Sequence, residues 1–377
     1  MATLVRNPFI LTPYVPEEYF CDRVNETAQL CKHIINGRNV ALFASRRLGK
    51  TGLIRHCFEQ KVIKDNYYTF LVDIYSAGSL SEMTTLLARE VFSNKHVVGI
   101  REKLLEGLKS IRPTIGYNEL TSSLSLSIGL SPNQGAGKTL EEILSVLETL
   151  DRPVVVCFDE FQKIRDFRED NVEAYLRGVF QKCRNICFIY TGSIGHSMNN
   201  IFKSPGKPFY NSAVMMTIGA IDRDVYLEFA KRMFLRHGKD VEDALAKKCY
   251  DYFSGVTWYV QLLMNEAFAQ TDKGMMLGEA DFDSIYSAII AQQAFSYQEL
   301  FARFSEKQRA LLVGIASEGS EGAAVTSQAF ISRYGLGSAS SVQTACNALK
   351  KNYFVTDNGS LKQITDLIFR DWLRSNS

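Results

Sequence analysis

A loop-like segment near the start of the chain carries the first residues whose types and spacing indicate chemistry. Residues 44–51 read Ala-Ser-Arg-Arg-Leu-Gly-Lys-Thr and fit G-x-x-x-x-G-K-[ST], except that Ala44 stands at the first glycine. Loops of this pattern curl backbone N–H groups around phosphate oxygens and aim a helix N-terminus at them. Gly49 allows close backbone approach, Lys50 reaches the β- and γ-phosphates, and Thr51 holds Mg²⁺. The pattern predicts a P-loop that binds ATP with Mg²⁺.

The sequence on both sides of this segment supports a P-loop. An apolar run typical of a buried strand, residues 39–43, leads into it, and a helical pattern follows over residues 50–60. Arg46 and Arg47 either serve the phosphates or face solvent, and the sequence leaves both alternatives open. The residues expected to contact the nucleotide are Ala44, Ser45, Arg46, Arg47, Leu48, Gly49, Lys50, Thr51 and Gly52.

Two adjacent acids end the most apolar strand pattern of the chain. Residues 153–158 are followed directly by Asp159 and Glu160, at the carboxyl edge where open α/β sheets bind their ligands. We expect Asp159 to hold the Mg²⁺ shell and Glu160 to orient and deprotonate the attacking water. The alternative is a strand end with two solvated acids. The P-loop upstream and the intervening strand pattern at residues 69–73 favour the catalytic interpretation.

Small polar residues end the next strand pattern. Residues 186–190 lead into Thr191, a glycine and Ser193, where a hydroxyl is expected to contact the γ-phosphate or the water. Ser193 is the first candidate and Thr191 the second, and a plain turn is the alternative for either. The predicted catalytic residues are Lys50, Glu160 and Ser193, and the predicted metal ligands are Thr51 and Asp159.

A second Gly-Lys-Thr triplet lies at residues 137–139. It follows a loop, no strand delivers it, and Pro132 stands where the first glycine should be. We interpret it as a linker that caps the next helix rather than as a phosphate-binding loop.

Strand and helix patterns alternate through the first half of the chain. Continuous apolar strands separated by helices predict a parallel sheet covered on both faces, the α/β class. Residues 96–137 break this rhythm, and the alternation of Leu124, Leu126, Ile128 and Leu130 with small residues predicts a two-faced strand, half of a hairpin. We interpret this stretch as an insertion beside the sheet.

The second half of the chain reads differently. Helical patterns at residues 222–234, 243–253, 258–270 and 281–295 predict a small all-helical lid domain. Three further helices over residues 305–351, with a hairpin around an Asn-Gly turn at 358–359, predict a winged helix. The expected domains are an ATPase core at 1–220, the lid at 221–296 and the winged helix at 297–377.

The composition excludes some classes of function. The net charge is +2, so no global electrostatic argument favours nucleic acid. No apolar run reaches the ~20 residues that cross a bilayer, and the N-terminus lacks a signal-peptide pattern. The eight scattered cysteines indicate buried free thiols in a reducing compartment, so we expect a cytoplasmic protein without a membrane partner. The cysteine and histidine spacings fit no zinc site.

Several segments, in order, resemble archaeal-type ATPases of the STAND class, which are related to AAA+ proteins. The matching segments lie at residues 20–26, 46–51, 158–162, 253–261 and 366–372. The resemblance implies that Phe20 and Arg23 flank the adenine and that the helical domain closes over the nucleotide. Asp22 and Ala44 stand where the family has glycine, and Leu367 replaces a proline. The plan is also similar to archaeal replication initiators, which add a winged helix to an AAA+ core.

Two functions fit these predictions. In the first, the protein is a molecular switch in which bound ATP or ADP changes the lid angle and the winged helix acts on a protein partner or on self-association. In the second, it is a DNA-binding ATPase that places the helix at residues 338–351 in the major groove, with Gln343 and Asn347 on bases. Basic residues lie only at the far end of this helix, which disfavours DNA.

Overall fold

A computed structural model of the chain describes residues 7–11, 16–94, 111–118, 123–130, 136–193 and 196–376. The chain divides into two compact units. We call Ile10–Phe229 together with Gly255–Tyr259 the core unit. Met1–Phe9, Ala230–Ser254 and Val260–Ser377 form the C-terminal unit.

The core unit is built on a sheet of five parallel strands in the order β2-β5-β6-β1-β7. The strands of this unit are β1 (Val40–Ala44), β2 (Tyr68–Asp73), β3 (Ile111–Asn118), β4 (Ser123–Leu130), β5 (Val154–Asp159), β6 (Ile186–Ser193) and β7 (Val214–Thr217). Its helices are α1 (Val24–Ile35), α2 (Lys50–Glu59), α3 (Lys61–Lys64), α4 (Leu80–Ser93), α5 (Ala136–Glu148), α6 (Val172–Phe180) and α7 (His196–Phe202). The predicted α/β class is confirmed.

Both faces of this sheet are buried. Val40 and Leu42 of β1 pack into one apolar cluster, whereas Ala41 and Phe43 pack into another. Alternate residues of a strand point to opposite faces, so two clusters on one strand mean that helices cover the sheet on both sides. Burial on both faces explains why the strands read as continuous apolar runs rather than as alternating ones.

The inserted stretch contains an antiparallel hairpin. β3 pairs with β4 from Ile111 opposite Leu130 to Asn118 opposite Ser123. This pairing confirms the half-hairpin predicted from the alternating leucines. The second Gly-Lys-Thr triplet differs from the predicted linker, because residues 137–139 already lie in α5 with Lys138 exposed and Thr139 buried.

The C-terminal unit is largely helical. Its elements, with α8 and α10 shared between the units, are α8 (Arg223–Arg236), β8 (Asp240–Val241), α9 (Asp243–Tyr252), α10 (Thr257–Gln270), β9 (Met276–Leu277), α11 (Phe282–Ala302), α12 (Glu306–Ser317), α13 (Gln328–Arg333), α14 (Ala339–Lys351), β10 (Val355–Asn358), β11 (Leu361–Ile364) and α15 (Leu367–Ser375). Two differences from the prediction stand out. β8 and β9 form a two-residue parallel pair within the expected all-helical region. α11 runs across the expected boundary at residue 296, since it contains no glycine or proline to end it.

The winged-helix elements have clear end signals. Ser305 and Gln308 form a capping box at the start of α12, and Ser327 and Ser338 cap α13 and α14. β10 and β11 pair antiparallel around Gly359, whose φ of 59° lies in the left-handed region that the Asn-Gly turn requires. Among the described residues, no helix combines the length and apolarity that a bilayer crossing needs.

A buried polar network ties three helices of the C-terminal unit together. Arg370 and Asp371 of α15 form an ion pair, with Nε to Oδ1 at 2.8 Å. Asp371 Oδ2 also accepts hydrogen bonds from the hydroxyls of Tyr286 in α11, at 2.6 Å, and Tyr252 in α9, at 3.1 Å. Burial and the Asp371 carboxylate raise the pKa of Tyr286, so the phenol stays a donor. Asp371 of α15 therefore accepts hydrogen bonds from α9 and α11 and pairs with the neighbouring Arg370.

Candidate nucleotide-binding site

The P-loop connects β1 to α2. Gly49 lies just before the helix with φ at 88°, a left-handed conformation that favours glycine. Lys50, the first helical residue, is buried, and its Nζ donates to the carbonyl of Ala44 over 3.4 Å. Ala44 ends β1 as a buried strand residue, so this position accommodates a side chain where the pattern has glycine. The Lys50 side chain therefore bonds back to the residue at which the loop begins.

The acid pair lies close to that ammonium. Burial lowers the pKa of Lys50, while the charges of Glu160 and Asp159 oppose this change and Arg46 adds to it. A cation within reach of two carboxylates and of a phosphate-binding loop matches the charge arrangement that a nucleotide-metal complex needs. The structure thus brings together the two motifs that the sequence places apart.

Asp159 is fixed by two threonine hydroxyls. Its Oδ2 accepts from Thr51 Oγ1 over 2.7 Å, and its Oδ1 accepts from the Thr191 hydroxyl. The backbone N–H of Glu160 also donates to Oδ1, over 3.0 Å. Mg²⁺ prefers oxygen ligands and is usually held by one or two carboxylates together with substrate phosphates. Asp159 and Thr51 are oxygen donors at the mouth of the P-loop, so they fit such an ion.

Glu160 occupies a strained turn. Its φ of 57° is left-handed, and it joins β5 to a 3₁₀ helix, Phe161–Asp166. Non-glycine residues in this region of φ/ψ space concentrate at functional sites, where the surroundings hold them in place. The side chain of Glu160 accepts a hydrogen bond from Gln162 Nε2. This turn directs Glu160 away from the path of β5.

Of the two hydroxyl candidates on β6, Thr191 is the one that contacts Asp159. Thr191 is buried, whereas Ser193 is half-buried at the last position of β6, opposite Ala44 in the strand register. The predicted role of Ser193 beside the γ-phosphate stays a prediction. The contact of Thr191 gives that residue a separate role, which is to orient the carboxylate.

Replacing Thr191 by valine should raise the Mg²⁺ concentration needed for half-maximal ATP hydrolysis about tenfold. The reason is that removing the hydrogen-bond partner of an expected metal ligand lowers the affinity for the metal. Hydrolysis measured across a Mg²⁺ titration checks this. Thr191→Ser, which keeps the hydroxyl, should recover most of the affinity. If Ser193→Ala shifts the Mg²⁺ requirement more than Thr191→Val does, the assignment to Thr191 is wrong.

Arg23 fixes the backbone around the P-loop. This buried arginine donates through one terminal nitrogen to the carbonyls of Leu48, at 3.3 Å, and Gly219, at 2.7 Å. Its other terminal nitrogen pairs with Glu26 at 2.8 Å. Asp22 has φ at 55°, a left-handed conformation that aspartate tolerates better than most residues. Arg23 therefore joins the P-loop to the segment after β7.

Phe20 packs on the helix that follows the P-loop. Its ring stacks on the imidazole of His56, with centroids 4.1 Å apart and planes 14° apart. Burial lowers the pKa of His56, which favours the neutral imidazole in this stack. Arg23 thus contacts the P-loop and Phe20 contacts α2. The expected place of both residues beside the adenine stays a prediction.

Arg47 is neither a free solvent-facing arginine nor one directed at the acid pair. Its guanidinium carbon lies 4.5 Å from the ring centroid of Trp258 and 4.6 Å from that of Tyr259, and it donates to the Tyr259 hydroxyl. The backbone N–H of Trp258 in turn donates to the Arg47 carbonyl over 3.0 Å. Contacts of a guanidinium with two aromatic faces are favourable cation–π interactions. We call Arg47, Trp258 and Tyr259 the arginine clamp.

The sequence contained a signal for part of this clamp. The segment at residues 253–261 resembles a family motif, but nothing in it indicates contact with the P-loop. The other predicted loop residues are arranged simply: Ser45 and Arg46 are exposed, Leu48 is buried, and Gly52 lies in the first turn of α2.

The chain has the fold of archaeal Walker-type ATPases and ORC proteins, with a winged helix at its C-terminal end. A family model described as a probable winged helix domain matches residues 295–375. The Walker-type ATPase PABY2304 of Pyrococcus abyssi is similar with 18% identity and a TM-score of 0.63, over 97% of this chain and 99% of that one. A search of curated proteins finds no match.

Two structures of Aeropyrum pernix proteins are similar as well. The ORC1 protein in complex with DNA has 11% identity and a TM-score of 0.54, over 98% of this chain and 97% of that one. The ORC2 protein in ADPNP-ADP complexes has 14% identity and a TM-score of 0.54, over 98% of both chains. At these identities the likeness concerns the fold: a P-loop α/β core, helical segments and a winged helix.

Proposed function

We propose that the protein is an ATP-binding and ATP-hydrolysing molecular switch that couples its nucleotide state to a protein partner or to self-association. The observation that carries this proposal is the Asp159 carboxylate, fixed by Thr51 and Thr191 beside the buried Lys50. A carboxylate, a P-loop threonine and a P-loop lysine in mutual reach are the parts that phosphoryl-transfer sites of this type use.

Each residue of the site has a different role in the proposed hydrolysis. The backbone N–H groups of the P-loop and Lys50 bind the phosphates, and Glu160 accepts a proton from the attacking water. Asp159 and Thr51 would hold Mg²⁺, which supplies positive charge to the phosphate oxygens when bound. Thr191 keeps the Asp159 carboxylate oriented. ATP and ADP are therefore the expected ligands.

The arginine clamp supports a switch. It joins a P-loop residue to Trp258 and Tyr259, which lie in the first turn of α10. α10 continues to Gln270, so a change at the P-loop can reach the start of this helix through the side chain and the carbonyl of Arg47. A nucleotide that changes the conformation of the loop also changes the position of the Arg47 backbone. The contacts of Arg47 then differ between the nucleotide states, and such differences allow a ligand to shift a conformational equilibrium.

The charge on the winged helix favours a protein partner over DNA. Lys350 of α14 and Lys362 of β11 both pair with Asp357, at 2.6 and 2.7 Å. The exposed Gln343 and Asn347 of α14 bond to each other at 2.9 Å. Duplex DNA binding depends on basic groups that contact phosphates, and here one carboxylate engages two of them. DNA binding is the second candidate, favoured by the likeness to an ORC1 protein whose structure contains DNA.

Tryptophan fluorescence tests the switch directly, because the chain has two tryptophans and one belongs to the clamp. In a Trp372→Phe variant, Trp258 is the reporter. We expect Mg-ATP to change its emission saturably and Mg-ADP to produce a different final emission, because the clamp responds to the γ-phosphate through the loop. A fluorescence titration measures the emission change of Trp258, and calorimetry in parallel measures the affinity for each nucleotide.

Two variants serve as controls for this measurement. Lys50→Ala should lose both nucleotide binding and the emission change, whereas Arg47→Met should bind ATP and lose the change. If wild type does not bind ATP, the proposal is wrong altogether. If ATP and ADP give the same emission, the switch is wrong but the nucleotide site stands. Retardation of duplex DNA at low salt, abolished at high salt, would favour the second candidate.

A further inference from the structure

The side chain of Gln162 lies between the acid pair and strand β6. It belongs to the 3₁₀ helix that follows Glu160. Its Nε2 donates a hydrogen bond to Glu160 Oε2. One oxygen of the predicted base is therefore held by an amide two residues further along the chain. A hydrogen bond from a neutral donor to a carboxylate is stronger than one between neutral groups, so it restricts the orientation of Glu160.

The other end of the Gln162 amide points into a packed region. Its Oε1 is buried and has no hydrogen-bond partner among the residues that the structure describes. A side-chain carbon at Gly192 of β6 would collide with this oxygen and would approach Met198 Cγ to 2.6 Å. Gly192 thus leaves the space that Gln162 occupies, next to Thr191, the partner of Asp159.

Packing alone does not explain why a glutamine occupies position 162. A buried amide oxygen to which none of the described residues donates is destabilising, and an apolar side chain of similar length would fill the same space without that penalty. The feature that an apolar residue lacks is the Nε2 donor to Glu160. Unsatisfied polar groups that persist in folded proteins call for a specific explanation, and the contact with Glu160 provides one.

We propose that Gln162 is a positioning residue, which holds Glu160 Oε2 so that Oε1 meets the attacking water. This inference rests on the proposed ATP hydrolysis. In that step the water oxygen bonds to the γ-phosphorus as the bond from that phosphorus to the bridging oxygen breaks. The electron pair of the broken bond leaves with ADP, and one water proton passes to Glu160. Gln162 touches none of the reacting atoms and acts through the orientation of Glu160.

The test uses Gln162→Met, which keeps the length of the side chain and removes the donor. Single-turnover hydrolysis of radiolabelled Mg-ATP should slow about tenfold or more, as is typical when an outer hydrogen-bond partner is removed. The Kd for ATP should not change, because Gln162 contacts the base and not the loop. Gln162→Glu has the same shape, also lacks the donor and should be at least as slow, so it replaces Gln162→Met if that variant folds poorly.

A double variant separates positioning from packing. If Gln162 acts through Glu160, adding Gln162→Met to Glu160→Gln should leave the residual rate unchanged, since residues acting as a unit are not additive. A further slowing in that background, or a matching loss of ATP affinity, indicates a merely structural role and overturns the inference. Wild-type turnover in Gln162→Met overturns it as well. If the wild-type protein itself cleaves no ATP, the proposed function and this inference fail together.

Discussion

Replacing Glu160 by glutamine should lower the single-turnover rate of ATP hydrolysis by about 10²–10⁴-fold, the usual contribution of a general base. ATP binding should persist, because the amide keeps the shape of the side chain and Lys50 and the P-loop are untouched. The reason for the loss is chemical. A carboxylate accepts the water proton, whereas an amide oxygen is far less basic.

The geometry explains why this one carboxylate has so large an expected effect. Asp159 is already engaged by two hydroxyls and a backbone N–H, so it serves as a fixed oxygen donor. Glu160 is turned out of the strand by its left-handed backbone, close enough to influence Lys50 electrostatically. The two adjacent acids thus have different surroundings, and different surroundings assign different roles.

Single-turnover kinetics with excess enzyme, together with calorimetric ATP binding, measures this prediction. Asp166→Asn is a matched control, because it makes an acid-to-amide change at the far end of the 3₁₀ helix that follows Glu160. Asp166 pairs with Lys163 at 3.0 Å on the surface and should be nearly neutral. Hydrolysis by Glu160→Gln at the wild-type rate would falsify the role of Glu160 as base.

The second large effect concerns stability. Replacing Asp371 by alanine should lower the free energy of unfolding of the C-terminal unit by about 3–5 kcal/mol, the range for breaking a buried ion pair from one side. Asp371 is the counter-ion of Arg370 and the acceptor for Tyr252 and Tyr286. Its loss leaves the buried Arg370 charge without a counter-ion and removes the acceptor of the buried Tyr286 phenol and of the partly exposed Tyr252 phenol, and the changes at the buried groups are unfavourable.

Urea denaturation followed by circular dichroism checks the stability prediction. Asp357→Ala is the control, because it also removes an acid that pairs with basic side chains, but at a partly exposed site. Asp357 and Lys350 are 36% and 33% exposed, so the loss there should be about 1 kcal/mol or less. A further variant, Arg370→Met with Asp371→Leu, should recover much of the stability, since it replaces both charges. Equal losses for Asp371→Ala and Asp357→Ala contradict the prediction.

Local sequence signals were sufficient for most of the fold and for the centre of the site. The P-loop and the acid pair are each contiguous, and each is attached to a strand whose apolar run is visible in the sequence. Because parallel strands deliver their carboxyl ends to one edge of a sheet, placing Lys50 near Asp159 and Glu160 needed no information beyond the strand assignment. Helix ends were visible for a similar reason, since Ser305 and Ser338 bond within their own turns.

The features that the sequence did not indicate depend on distant residues. Arg47 and Tyr259 are separated by 212 positions, and no local pattern links them. The sequence offered Thr191 and Ser193 as candidates for contact with the γ-phosphate or the water, and it did not indicate the contact of Thr191 with Asp159. Both lie on one side of β6, because strand side chains alternate with a period of two. Which of them meets Asp159 depends on how far each strand extends past its neighbour, and that is decided by packing across the sheet.

The unbroken course of α11 has a mechanical consequence. With no interruption between Phe282 and Ala302, this helix offers no hinge at residue 296, and Asp371 bonds it to α9 and α15. Within the C-terminal unit, a continuous helix and a shared carboxylate therefore join the helical segment to the winged helix, with no loop between them at residue 296.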